Sequence, residues 1–314
     1  MKIILYVFVS YWFLLYSCSK KNIEIPPEKE EKVAPNFNCK EIPEIQGIST
    51  GWNFLLSDNA YFSPHFNPKN GNEFAFMLKN NKTGLKEIYT YDINTKTKSL
   101  IYTGKTHNHI EWAADDWIFF NKEVLYKIKS DGTELAKVTK IKFVFTTQNN
   151  KILYESVNST PSNLMFYFSD LDNNILDSVS IFNSGGPPEW SGENVVFMPN
   201  IYNTNSKVSK VCLEDYELHN VIYKKFVNTE EFIWSDLLNV YKTNINTNIT
   251  DTLISHCNAY QYGSFDYSPH TNKVLCHRST KERIADGLLK IDSYIVLMNP
   301  DGTEKEIIDI DNEF

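Results

Sequence analysis

The chain has 314 residues, 42 % of them apolar and 14 % aromatic, which is length enough for one large domain or two small ones with a substantial core. Its formal net charge of −8, with no basic stripe interleaved with aromatics, excludes a nucleic-acid binder, which needs a basic face for the phosphates. Gly and Pro, 12 of each, exclude collagen-like and low-complexity chains.

The first element in chain order is an export signal over residues 1–17. Lys2 supplies a positive start, and Ile3 to Tyr16 is an apolar run of h-region length, short for a membrane span. It ends in Leu15-Tyr16-Ser17-Cys18, which resembles the bacterial lipobox; the resemblance implies cleavage before Cys18 and acylation of its thiol and new amino group. Tyr16 is bulky for its place in that motif, and an ordinary secretory signal is the plainer alternative. Two or more acyl chains, at about 0.8 kcal/mol per buried CH₂, anchor durably. Elsewhere no apolar run reaches about 18 residues, so the expected membrane contact is the lipid alone.

Residues 18–40 follow as a tether, rich in Pro and alternating charge and poor in aromatics. Ser19-Lys20-Lys21 directly after the cysteine suggests a lipoprotein of the outer membrane facing the periplasm. Residues 41–59 carry Ile42, Ile45, Ile48, Trp52, Phe54, Leu55 and Leu56, which need an apolar surface: a strand added to the last repeat, or a cover for one end of the fold.

From about residue 60 to 311 the chain repeats. Asp131-Gly132 and Asp301-Gly302 read as type I′ hairpin turns. With Asn94, Asn173, Asp215 and Asn246 they mark six units of about 41 residues, the span from Asn94 to Asp301 taken in five steps. Before most markers lies a strand-like segment with an aromatic residue, Tyr89, Tyr126, Phe168 and Tyr241 among them. Further upstream comes a second apolar strand, at Phe74, Trp117, Ile152, Val195, Phe232 and Val274. Before that stands an aromatic plus a small residue: Phe62-Ser63, Trp112-Ala113, Phe145-Thr146, Trp190-Ser191 and Tyr267-Ser268, with Val227-Asn228 in the fifth unit. Units two and five align without a gap when Trp117 is laid on Phe232. A fourth apolar stretch closes each unit. The phrase Ser-Pro-His occurs twice, at Ser63-Pro64-His65 and Ser268-Pro269-His270, and reads as the first and last copies of one module in which Ser-Pro ends the innermost strand.

Four short strands repeated six times predict an all-β, six-bladed β-propeller of four-stranded antiparallel blades, occupying 41–314 after the signal and tether. The modules resemble the TolB-like six-bladed (WD40-like) β-propeller repeat, departing from it where Asp-Gly should follow Ser-Pro and His65-Phe66 and His270-Thr271 stand instead. The resemblance implies binding of proteins or ligands through the channel mouth and connecting loops; some related propellers accompany a peptidase domain, and some form metal-using lyase sites.

Chemistry is thin in the sequence. There is no P-loop, G-x-G-x-x-G or H-E-x-x-H, and the serines at repeat positions read as turn residues. His65, His270 and His256 would converge if units one and six adjoin, and imidazoles at a channel mouth can hold a divalent ion; exposed loop histidines are the bland alternative. The adjacent acids Asp115-Asp116 and Glu230-Glu231 fall at equivalent turns, as solvated residues or a cation or acid–base pair. Cys39, Cys212, Cys257 and Cys276 form either two disulfides in any of three pairings or buried small apolar residues. The expected protein is a monomeric, non-catalytic, lipid-anchored scaffold of the cell envelope with a protein or glycan partner, no cofactor and no catalytic residue. The rival expectation is a metal-assisted lyase or hydrolase acting on carbohydrate.

Overall fold

A computed structural model describes residues 53–310, apart from 139–140, 149–150, 157–163, 172–173, 182–187, 198–199, 212–222, 237–238, 256, 258, 304 and 309. The described residues form strands and turns without a helix, in six sheets that make a six-bladed β-propeller. Blade 1 contains β2 (Asn59–Phe66), β3 (Glu73–Asn80), β4 (Lys86–Asp92) and β5 (Thr97–Gly104). Blade 2 contains β6 (Ile110–Trp112), β7 (Trp117–Asn121), β8 (Leu125–Lys129) and β9 (Ala136–Lys137). Blade 3 contains β10 (Ile141–Gln148), β11 (Lys151–Ser156), β12 (Leu164–Asp170) and β13 (Ile175–Ile181). In blade 4 are β14 (Glu189–Ser191), β15 (Asn194–Phe197), β16 (Asn200–Asn203) and β17 (Ser209–Val211), and in blade 5 β18 (Tyr223–Phe226), β19 (Glu231–Ser235), β20 (Val240–Asn244) and β21 (Thr250–Ile254). Blade 6 holds β22 (Tyr260–Ser268), β23 (Lys273–Ala285), β24 (Leu288–Met298) and β25 (Glu306–Ile308), and is joined by β1 (Asn53–Leu56).

The apolar side chains explain the wheel. In β3, Phe74, Phe76 and Leu78 face blade 6, while Ala75 and Met77 face blade 2. A strand buried on both faces cannot be satisfied within one sheet, so neighbouring sheets must close over it. Each junction has such a cluster, including Phe119 with Tyr154 between blades 2 and 3, Trp190 with Phe168 between 3 and 4, and Trp234 with Val196 between 4 and 5. Ile233 with Val274 fills the junction of blades 5 and 6. Phe74 with Leu275 and Ile295 fills the last, between 6 and 1, so the apolar packing runs the full circle. Burial of one such side chain contributes roughly 1.5–3 kcal/mol.

The ring is also joined at its chain ends. β1 pairs in parallel with β24, Phe54 opposite Leu289 and Leu56 opposite Ile291, while β25 pairs with the other half of the same edge. Of the two expectations for the segment before the repeats, strand addition to the last blade holds for 53–56. Phe54, Leu55 and Leu56 nonetheless stay about half exposed (46, 51 and 49 %). Ile42, Ile45, Ile48 and Trp52, like the signal and tether, lie outside the described residues.

Two local expectations are corrected. The Asp-Gly turns are not type I′: only the glycines have positive φ (Gly132 83°, Gly302 79°), and the Gly132 N–H reaches the Lys129 carbonyl while the Lys129 N–H reaches that of Thr133. This is a three-residue loop with glycine in the left-handed position, and the Asp131 carboxylate accepts from the Thr133 N–H and hydroxyl. Nor does Ser63-Pro64 end its strand. Both residues form a bulge within β2, where Phe62 pairs with Met77 and His65 with Ala75.

Candidate functional site

The bulge in β2 sets the register of everything at the axis. Ser63 takes φ 49°, and its Oγ accepts the Ile110 N–H of blade 2 at 3.1 Å. Blade 6 has its own bulge at Ser264, φ 45°. Counting from the bulges, and from the pairings His65–Ala75 and Asp266–Leu275, the equivalent of His65 is Asp266. The equivalent of Ser268-Pro269-His270 is Asn67-Pro68-Lys69. The twin Ser-Pro-His phrases are therefore out of register and are not copies of one another.

The same pairing logic picks one residue from each innermost strand: His65, Glu111, Thr146, Glu189, Lys225 and Asp266. They form a polar belt around the axis. Lys225 Nζ lies 3.1 Å from Glu189 Oε1 and 2.9 Å from Asp266 Oδ1, joining blades 4, 5 and 6. Asp266 Oδ2 accepts the Phe66 N–H at 2.7 Å and lies 3.9 Å from His65 Nδ1, joining blade 6 to blade 1. His65 Nδ1 is 3.5 Å from Glu111 Oε2 in blade 2, and the Thr146 hydroxyl donates to Glu189 Oε1 at 3.5 Å, joining blade 3 to blade 4. All but Lys225 are buried, and the Lys225 side chain is 16 % exposed.

Enclosure governs the charges. Burial, then Lys225, hold the His65 imidazole well below its ordinary range. Burial pushes Glu111 well above the carboxylate range against the pull of Lys225, with Glu189 and Asp266 adding repulsion. Burial likewise lifts Glu189 to about 6, moderated by Lys225. For Lys225 burial works downward, but attraction to Asp266, Glu189 and Glu111 outweighs it and the ammonium is held well above its usual range. The belt is thus a cation shared by two carboxylates, beside an imidazole whose charging burial disfavours and a glutamate, Glu111, whose proton is held more tightly than usual.

Two residues before Glu111 on the same strand side, His109 stacks on Phe143 of blade 3 (centroids 4.8 Å apart) and meets His65 edge-on at 5.8 Å. Burial and the neighbouring His65 push His109 down to about 3, opposed by its hydrogen bond to the Val144 backbone. This aromatic pair lies toward the end where the blades are linked to one another, the belt toward the hairpins that close the innermost strands.

Of the histidines expected to converge, His65 alone is in the belt. His270 is exposed on the β22–β23 hairpin, its Nε2 3.1 Å from the Pro68 carbonyl, and His256 lies outside the described residues. No group of three or more His, Cys, Asp or Glu among the described residues is arranged to hold a metal ion. Asp116 pairs with Lys69 across blades from the turn before β7, while Glu231 is the first residue of β19 and accepts from Asn228. Cys276 is a free, buried thiol lifted by burial to about 12, which removes it from either disulfide; Cys257 is disulfide-bonded.

Sequence reasoning missed the belt, although a signal existed: in five units an ionisable residue directly precedes an aromatic residue at or next to the end of the innermost strand, as in His65-Phe66, Glu111-Trp112, Glu189-Trp190, Lys225-Phe226 and Asp266-Tyr267. The gapless alignment of units two and five concealed it by laying Glu111 on Phe226 rather than on Lys225.

No family model matches the chain, and no curated protein matches it. Solved structures share the fold. The Pyrococcus horikoshii acylaminoacyl peptidase matches at TM-score 0.51 and 9 % identity over 80 % of this chain and 52 % of that one. The β-propeller domain of the trilobed protease from Pyrococcus furiosus, whose structure has an open velcro topology, matches at 0.47 and 13 % over 81 % and 82 %. TolB from Acinetobacter baumannii matches at 0.36 and 14 % over 79 % and 53 %. The six-bladed β-propeller given by the strand order is thus a fold shared with the acylaminoacyl peptidase, and the chain spans about half the length of two of these three proteins.

Proposed function

We propose that the chain is a non-catalytic binding protein of a bacterial cell envelope. Acylated at Cys18 and held off the membrane by residues 18–40, it recruits a protein or glycan through the loops at one end of the propeller. The observation that carries this reading is the belt itself: Lys225, Glu189, Asp266, His65 and Glu111 are engaged with one another, so the acids and bases at the axis serve to join blades. Recognition then falls to the connecting loops, the part of a rigid scaffold that most often carries binding. The monomeric ring faces the periplasm from the outer membrane in this reading.

Two measurements test it. Cys18→Ala should abolish incorporation of labelled palmitate and move the protein from the membrane to the soluble fraction. Photocrosslinkers at Asn108 and at His270 sample opposite ends of the ring, and one end only should yield a discrete partner in cells. Stoichiometric divalent metal in the purified protein, lost on His65→Ala, would overturn the reading in favour of the metal-assisted lyase or hydrolase.

A further inference from the structure

Cys257 sits in the connection from β21 to β22, in a small cluster with Ala259 and Leu289. The Cys257 carbonyl accepts the Tyr260 N–H at 3.0 Å, and the Ala259 carbonyl accepts the Lys281 N–H at 2.7 Å, so the connection is pinned to blade 6. Leu289 is directly opposite Phe54 of β1, and neighbouring strands lie roughly 4.8 Å apart. Cys257 is therefore placed beside the strand through which the N-terminal part of the chain enters the ring.

Cys257 is disulfide-bonded, and Cys276 is free. Three cysteines remain: Cys18, Cys39 and Cys212. Cys212 directly follows β17, the outermost strand of blade 4, and the whole of blade 5 stands between that sheet and blade 6. Cys18 lies far upstream, in the lipobox. Cys39 precedes Asn53 by fourteen residues, which at about 3.3–3.6 Å per residue span up to roughly 50 Å when extended. A disulfide needs its Cα atoms within about 7 Å. The stretch 40–52 has ample length to fold back to Cys257, and it contains Ile42, Ile45, Ile48 and Trp52, apolar residues that match the half-exposed Phe54 and Leu56 beside the cluster.

We infer that the partner of Cys257 is Cys39, so that the segment before β1 is stapled covalently to the connection that enters blade 6. In forming, the two thiols lose two protons and pass two electrons to a protein disulfide donor of the thiol–disulfide oxidoreductase class, joining Cys39 Sγ to Cys257 Sγ. The four-residue pairing of β1 with β24 then has a covalent backup at the same blade. Any pull from upstream falls on the staple before it reaches the strand.

Peptide mapping of the full exported chain decides this. Free thiols are alkylated in denaturant, the protein is digested without reductant, and linked peptides are identified by mass spectrometry. A Cys39–Cys257 peptide with Cys276 alkylated is expected. A Cys212–Cys257 or Cys18–Cys257 link, or alkylated Cys257, overturns the inference. Cys39→Ser should expose Cys257 to alkylation, and Cys212→Ser should leave the link intact. Proteolytic cleavage within 40–52 should leave the upstream fragment attached until reductant is added; its release without reductant contradicts the staple.

Discussion

The wedges between blades and the belt at the axis solve the same problem with opposite chemistry. A wedge is apolar and tolerant of substitution in kind: Phe76 packs at one junction where Phe120, Phe197 and Trp234 serve at others. The belt uses a different residue in nearly every blade, because partners must complement one another around the circle: Lys225 needs Glu189 and Asp266 on its two sides. Apolar burial is non-directional and can repeat, while charge pairing is directional and cannot.

The largest expected effect tests the wedges. Trp234 is buried, stacks on Tyr241 with centroids 4.3 Å apart and donates to Thr243 Oγ1 at 2.9 Å. Trp234→Ala should cost about 3–5 kcal/mol in chemical denaturation; a loss below about 1 kcal/mol would mean the junction is not the core.

Next comes the belt. Lys225→Met leaves two enclosed carboxylates without their cation and should cost about 3 kcal/mol or more. Adding Glu189→Gln and Asp266→Asn should recover most of that loss. If the single substitution is silent, the belt contributes nothing and the comparison fails.

Gly71 sharpens the blade 6 to blade 1 boundary. A Cβ there would lie 2.4 Å from both Ser268 Oγ and Thr271 Cγ2. Gly71→Ala should therefore destabilise by about 1–3 kcal/mol, through overpacking, as read from the thermal midpoint.

The pH dependence should divide the belt from its surroundings. The imidazoles of His109 and His277 fall to about 3 and about 4, burial being the main cause in each. Their folded values are below the unfolded one, so their contribution is complete above about pH 6.5 and is lost as pH falls toward 4 and 3. Glu189, lifted to about 6, has the opposite sign: its contribution is present below about 4.5 and is lost as pH rises through 6. The thermal midpoint should drop on acidification below 6.5. His277→Gln should flatten the drop, and Glu189→Gln should steepen it between 6 and 4.5. A midpoint that rises on acidification would refute the assignment.

The smallest effect belongs to the rim. Lys82 and Asp58 pair at 2.7 Å with side chains 72 and 67 % exposed. Lys82→Ala should change stability by less than about 1 kcal/mol, and a larger change would blur the contrast with Lys225.

Much of the wheel was legible because burial on both faces leaves a trace in each unit. Phe74-Ala75-Phe76, Ile118-Phe119-Phe120 and Phe232-Ile233-Trp234 are continuous apolar runs, and their recurrence announces blades. The site was less legible. His65 was found through a phrase whose second copy is unrelated in register, and its real counterpart, Asp266, was passed over. The bulges at Ser63 and Ser264 caused the confusion, since one extra residue shifts every later side chain along the strand.

The sequence by itself determined the number of blades, the strands within them and the positions that must be buried, because short-range alternation and the repeat follow from local geometry and hydrophobicity. Only the tertiary structure decided that His65, Glu111, Thr146, Glu189, Lys225 and Asp266 share one belt. Those residues lie far apart along the chain and meet only when the circle closes. Closure also sets their protonation, since a carboxylate such as Glu111 is pushed upward by enclosure that no single blade provides.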